Sequence, residues 1–337
     1  MIDTIIADGS WLPYSFAFLM GLSMLIYAIL DGYDLGVGML IDNANWHEKD
    51  QMIASIGPFW DANETWLILG VGLLLVAFPA AHGIILTELY LPVAIMIFGL
   101  IFRGVAFDFR AKVPLQKKWR WNKRFFQGSL LTSLAQGYML GSYVSGFDYS
   151  WSGILFSCLI AVAVSSAYCL IGACWLIMKT EGTLQVKAVK WAKYHLINSI
   201  VGLVAVSAST PLISPRIFDK WFSFPEIFAL APIPIVTLIL IVMLFMLLRH
   251  MPFPKDRYCW LPFILTVGIY IFSFIGLAYS FFPYIVPEKM TIVEAASSPE
   301  ALFIMLIGAL IVLPILLAYT ALSYYIFHGK AVELRYD

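Results

Sequence analysis

Long apolar runs separated by short polar connections dominate this chain. A helix needs about 20 mostly apolar residues to cross about 30 Å of hydrocarbon. Runs that meet this need predict about nine transmembrane helices, at 11–41, 51–80, 83–110, 125–146, 153–178, 195–214, 227–248, 260–286 and 300–327. The first run continues from Trp11 past Leu30 with no small-residue cleavage pattern, so it reads as a span and not as a signal peptide. The connections are short throughout. Residues 1–337 therefore read as one polytopic, all-α membrane domain, with any machinery lying between helices.

Composition agrees: 61% of residues are hydrophobic and 12% are charged, against about 25% charged in a soluble domain. The net charge of zero excludes a basic nucleic-acid surface. The cations follow topology. Lys49, Lys112, Lys117, Lys118, Arg120, Lys123, Arg124, Lys179, Lys187, Lys190, Lys193, Arg249, Lys255, Arg257, Lys330 and Arg335 fall on one side of the predicted spans. Arg216, Lys220 and Lys289 fall on the other. Short cytoplasmic loops retain Lys and Arg, which puts the N-terminus outside and the C-terminus in the cytoplasm. Trp119, Trp121, Trp191, Trp221 and Tyr258 stand beside these charges as interfacial anchors. Cys158, Cys169, Cys174 and Cys259 form no CxxC pair and no zinc pattern, so they read as apolar fillers and no metal site is expected.

The charges inside the spans are uneven. The first three predicted spans carry Asp31 and Asp34, then Asp61 and Glu64, then Arg103, Asp108 and Arg110, with Glu88 near an outer end. The cores of the later spans carry none. A carboxylate in the bilayer is costly unless it is paired, protonated or wetted, so these residues are functional candidates. Asp31 and Asp34, like Asp61 and Glu64, are three residues apart and project from one helix face. With span two starting near residue 51, Asp61 would lie about 15 Å in from its cytoplasmic start, while Asp34 and Asp108 lie near the cytoplasmic ends of their spans. The series would deepen from Asp108 and Asp34 through Asp31 to Asp61 and Glu64, as a proton relay opening to the cytoplasm requires. An ion-paired brace, with Arg103 neutralising Asp61 or Asp31, explains the same residues, and both roles can coexist. Gly32 and Gly36 form a GxxxG that admits a close helix. Gly70, Gly72, Gly99 and Gly104 predict tight packing of the first three spans around the charges.

Haem held between helices takes His or Met ligands from within the spans. His47, His250 and His328 fall in loops or the tail, His82 in a turn and His195 at a span edge. Met96, Met139 and Met305 read as apolar filling. No axial pair is apparent.

Three stretches resemble the signatures of subunit II of the cytochrome bd quinol oxidases. They are Asp31-Gly32-Tyr33-Asp34-Leu35-Gly36-Val37-Gly38, Gly57-Pro58-Phe59-Trp60-Asp61-Ala62-Asn63-Glu64-Thr65-Trp66 and Phe102-Arg103-Gly104-Val105-Ala106-Phe107-Asp108-Phe109-Arg110. They lie within the signature-bearing helices 11–110, and the remaining helices 125–327 fit in length and number. The short chain is similar to the cyanide-insensitive branch of that family. The resemblance implies two four-helix bundles plus one peripheral helix, packed as a pseudo-symmetric heterodimer against subunit I in a prokaryotic plasma (inner) membrane. It implies that haems b and d and the quinol-oxidation site belong to subunit I, that some complexes add a small single-span subunit, and that this chain alone is not catalytic. The complex would oxidise quinol and reduce dioxygen to water, electrogenic without pumping. Asp31, Asp34, Asp61 and Asp108 match the family's proton-path acids. In that reading Asp34 and Asp108 admit protons, Asp31 passes them on, Asp61 hands them across the interface, and Glu64 is the next step or a support. Some members hold a structural quinone near the residues matching Trp60 and Arg103. The rival reading is a stand-alone proton-coupled transporter, which would tend to show charges in both halves.

Overall fold

Residues 11–213 and 215–331 are described by a computed structural model. The N-terminal residues and Arg335, used above for orientation, lie outside the described residues. The chain forms α1 (Leu12–Leu40), α2 (Trp46–Ile56), α3 (Trp60–Ala77), α4 (Pro79–Glu88), α5 (Tyr90–Lys112), α6 (Leu115–Val144), α7 (Trp151–Lys179) and α8 (Gly182–Ile213). It continues with α9 (Pro215–Phe222), α10 (Glu226–Leu230), α11 (Pro232–His250) and α12 (Leu261–Phe281). An antiparallel hairpin of β1 (Tyr284–Val286) and β2 (Met290–Thr291), α13 (Ile292–Ala295) and α14 (Pro299–Ile326) complete it. Among the described residues seven helices are long and apolar enough to cross a membrane: α1, α3, α5, α7, α10 continued by α11, α12 and α14. α6 and α8 have the length, at 30 and 32 residues, but are more polar.

Several boundaries depart from the sequence reading. Predicted span two is broken in three. A capping box between Asn45 and Glu48 starts α2 early, Gly57-Pro58-Phe59 interrupts the backbone, and α4 begins afresh at Pro79. Proline lacks the N–H that would continue the hydrogen-bond ladder. His82 therefore lies in α4 and not in a turn. α6 and α8 begin well before their apolar runs, so basic residues expected in loops ride on helical first turns. His195 consequently sits inside α8, its Nδ1 3.0 Å from the Ser166 hydroxyl of α7.

α1 packs on α3, α6 and α7, and α6 packs on α5. α7, α8, α11 and α12 close a second ring. α14 touches α1 and is otherwise exposed along most of its apolar surface. The two groups meet where α1 crosses α7. From Asp31 to Leu40 α1 is buried all round, as is α7 from Tyr168 to Ile177. Glycine permits the approach. A Cβ on Gly172 would stand 2.7 Å from the Gly36 carbonyl carbon, one on Gly32 would meet the Tyr168 ring at 2.8 Å, and one on Gly36 would collide with the Tyr168 carbonyl. The Gly32/Gly36 motif thus serves α7. Gly70 faces Met24, but Gly72 faces open space, and Gly99 packs on Thr132 and Gly128 of α6, outside the first three spans.

The ends of the helices are tied by charge. Arg110 of α5 is buried and donates from Nη2 to Asp50 of α2 and from Nε to Asn122 of α6, both at 2.5 Å. Glu48 of α2 accepts from Lys187 Nζ of α8 at 2.7 Å and from Thr183 at 3.3 Å. Burial alone would raise the Glu48 carboxyl; the Lys187 bond, the Asn45 backbone N–H and Thr183 outweigh it and hold the group below its ordinary value of 4.5.

Two outcomes follow for stability. Gly36→Ala should cost about 1–3 kcal/mol or more through overpacking, whereas Gly308→Ala, with nothing within 4 Å, should stay within about 0.5 kcal/mol; thermal unfolding in detergent compares them. A depressed carboxyl stabilises above its unfolded value, and that contribution is lost as pH falls through the folded value. Lys187→Met should therefore lower the unfolding temperature at neutral pH, by under about 1 kcal/mol for a lysine that is 38% exposed. The difference should vanish in acid below the ordinary carboxyl range, as unfolding scans at both pH values will read.

Candidate functional site

The α3–α5 seam is closed by side chains. Arg103 of α5 is 1% exposed, and its Nη2 donates to Asp31 Oδ1 of α1 at 2.7 Å and to Glu64 Oε1 of α3. Small residues set its position. A Cβ on Gly128 of α6 would lie 2.7 Å from the Arg103 backbone nitrogen, so α6 supports the Arg103 backbone only because residue 128 has no side chain. Sequence reasoning left Asp61 and Asp31 open as partners of Arg103. The structure pairs it with Asp31 and adds Glu64.

Asp34 lies one turn along α1 and is fully buried. Its Oδ2 accepts from Asn63 Nδ2 of α3 at 2.8 Å. The same nitrogen lies 2.9 Å from the Tyr33 hydroxyl, which is 2.6 Å from the hydroxyl of Tyr324 on α14. On the other side of Asp31, Gln136 of α6 donates to Tyr27 at 2.5 Å and accepts from Tyr168 of α7 at 2.8 Å. Asp31 Oδ2, Asp34 Oδ1 and Arg103 Nε and Nη1 have no hydrogen-bond partner among the described residues. The core therefore keeps polar capacity beyond its one two-armed ion pair.

Asp61 and Asp108 are placed differently from the rest. Both are exposed, and neither joins an ion pair among the described residues. The residues next to them, Trp60 and Phe107, meet across the seam with ring centroids 4.9 Å apart and planes tilted by 38°, and the Trp60 ring lies over Gly104. The expected order of depth is corrected here. Because α3 starts at Trp60, Asp61 sits in its first turn and not about 15 Å inside a longer span. Glu64, 25% exposed at its side chain, is the residue of α3 that reaches from the seam to the buried core. The Arg103 guanidinium is enclosed by these contacts, so of the pair expected beside a quinone only Trp60 is partly accessible.

Asn63, Tyr33, Tyr324, Gln136 and the Arg110–Asp50–Asn122 tie escaped the sequence reading. Asn63 had a signal, being a polar residue between two in-span acids. Tyr324 had none, since its partner is 291 positions away. Among the described residues no three His, Cys, Asp or Glu side chains are grouped to hold a metal ion.

Comparisons with known proteins agree with this fold. A profile of the family described as cytochrome bd terminal oxidase subunit II matches residues 12–327. The chain is 27% identical over 380 residues to cytochrome bd-I ubiquinol oxidase subunit 2 of Escherichia coli (strain K12), covering 97% of both. It is 30% identical over 328 residues to cytochrome bd ubiquinol oxidase subunit 2 of Bacillus subtilis (strain 168), covering 90% of this chain and 92% of that one. A chain of the bd oxidase structure from Geobacillus thermodenitrificans shares the fold, with a TM-score of 0.76 at 17% identity, over 94% of this chain and 98% of that chain.

Removing a buried partner leaves a bare charge, which costs about 3–5 kcal/mol. Arg103→Leu should therefore sharply lower the unfolding temperature of the purified protein. Adding Asp31→Asn and Glu64→Gln to that variant should recover much of the loss.

Proposed function

Because the chain belongs to the cytochrome bd terminal oxidase subunit II family, we propose that its clustered acids carry protons to dioxygen reduction performed on subunit I. It is a subunit of a quinol oxidase and a multi-pass protein of the prokaryotic inner membrane. The observation that carries the proton reading is the composition of the seam. Asp61 and Asp108 are exposed on the two helices of the seam, and the partly exposed Glu64 shares one guanidinium with the buried Asp31 while Asp34 stands a turn away. Three carboxyl groups around one cation leave a deficit of positive charge, and burying an uncompensated charge is costly. Protons are the species that can fill such a deficit and leave again. A brace alone would need one carboxylate for Arg103.

In this reading Asp61 and Asp108 exchange protons at the seam, Glu64 links the seam to the core, and Asp31 and Asp34 hold protons inside. Arg103 positions Asp31 and Glu64. Haems b and d and the quinol site lie in subunit I, and the cation-rich ends of the helices face the cytoplasm, so protons are taken up from that side. The N-terminus is then outside. A quinone held structurally against this chain would rest on the Trp60–Phe107 pair. The surface of α5, with Phe98, Ile101 and Val105 exposed, meets subunit I or lipid, and a small single-span subunit has room on the apolar outer faces.

The direct test purifies the chain with its native partners and records the visible spectrum and quinol-driven oxygen consumption. Haem bands in a stable, oxygen-consuming complex are expected. Within it, Asp61→Asn should slow turnover several-fold with haem content unchanged. Normal turnover would remove Asp61 from the path, and loss of haem would assign it to assembly.

A further inference from the structure

Asp34 is fully buried, so a role in admitting protons requires something that connects it to water. Solvent does not reach it along α1. The connection available is the hydroxyl pair on its far side. Tyr324 OH lies 2.6 Å from Tyr33 OH and donates to Asn63 Oδ1 at 3.3 Å. Asn63 Nδ2 reaches both Tyr33 OH and Asp34 Oδ2 at 2.9 and 2.8 Å. Tyr33 and Asp34 are thus separated by no more than two hydrogen-bond lengths, a gap that one water bridges.

The outer end of this chain is a cavity. Tyr324 is part of the wall of a cavity of about 340 Å³ bounded by Trp175, Lys179, Cys259, His328 and Lys330. It lies at the shared end of α7 and α14, and at about 30 Å³ per water it has room for several. Its charged groups are tied to neighbouring partners. Lys179 Nζ donates to the Phe327 carbonyl at 2.6 Å and faces the rings of Phe59 and Trp175, Lys330 pairs with Asp256, and His328 Nδ1 lies 2.7 Å from the Tyr325 carbonyl. Aromatic rings insulate the hydroxyls: Tyr33 stacks on Trp175 at 4.1 Å and Tyr324 on Phe59 at 4.6 Å. Tyrosine hydroxyls can accept one proton while giving up another, and an apolar sleeve around a hydroxyl pair confines that exchange to the pair.

We infer that this cavity is a water vestibule from which protons reach Asp34 through Tyr324 and Tyr33, with Asn63 as the positioning residue. Water in the vestibule gives a proton to the Tyr324 oxygen as the Tyr324 proton passes to Tyr33. The Tyr33 proton then moves, through one water, to the Asp34 carboxylate. Each step exchanges an O–H for an O–H, and the vestibule water left as hydroxide is neutralised by bulk solvent. The peripheral helix α14, which packs against few residues of the two bundles, thereby gains a role, since it supplies the first hydroxyl.

This inference rests on the proton reading of the buried acids, and the test separates the two. In the intact oxidase complex, Tyr324→Phe keeps the ring and removes only the hydroxyl. Quinol-driven oxygen consumption should fall several-fold and its solvent deuterium isotope effect should rise, with the haem spectrum unchanged. Asp34→Asn in the same preparation should do likewise. A small thiol reagent on Cys259 should slow the wild-type complex and not the Cys259→Ser complex. If Asp34→Asn slows turnover while Tyr324→Phe leaves rate and isotope effect unchanged, the vestibule route is wrong and the proton reading stands. A normal Asp34→Asn overturns the vestibule route and removes Asp34 from the proton path. A rate loss in Tyr324→Phe without any rise in the isotope effect, or with loss of haem, makes the hydroxyl structural and also overturns the route.

Discussion

One guanidinium on α5, shared by an acid of α1 and an acid of α3, organises the first half of this molecule. Arg103 stands in α5, yet its partners are Asp31 on α1 and Glu64 on α3. Its backbone in turn lies where Gly99 and Gly128 let α5 and α6 approach. Glycine packing and buried charge are here a single constraint: the small residues set a helix separation at which one side chain can reach two carboxylates.

That constraint explains why the acids fall into two populations. Asp31 and Asp34 occupy the stretch of α1 that is enclosed on all sides by α3, α6 and α7. Asp61 and Asp108 are exposed, each next in sequence to a member of the Trp60–Phe107 ring pair. Among the described residues Glu64 is the acid that touches both environments, 25% exposed at its side chain and bonded to Arg103. A chain that uses buried carboxyl groups needs such a junction, because a wholly enclosed acid cannot exchange with solvent and a wholly exposed one cannot act inside.

The chemistry was more legible in the sequence than the geometry. The charges of the first three spans, the glycines around them and the absence of suitably placed histidine ligands follow from residue type and hydropathy alone, and so did the signature stretches. Pairing of Arg103 with Asp31 was among the options that spacing allowed. Asp61 was misplaced because hydropathy runs smoothly across Gly57 and Pro58, where the backbone breaks. Hydropathy cannot see that break, whereas Pro58 could have signalled it. The long polar beginnings of α6 and α8 were read as loops, since helices that start in water carry no apolar pattern there. Tyr324 and Tyr33 meet across 291 residues, a contact that only the packing of α14 on α1 creates.

The account stands or falls on whether the core acids change protonation during the reaction. The most direct measurement is a reduced-minus-oxidised infrared difference spectrum of the assembled oxidase, recorded in H2O and in D2O. The account predicts a carboxyl C=O band that shifts on deuteration and disappears in Glu64→Gln. A spectrum with no such band, or one that Glu64→Gln, Asp31→Asn and Asp34→Asn all leave intact, would show that these acids only brace the helices.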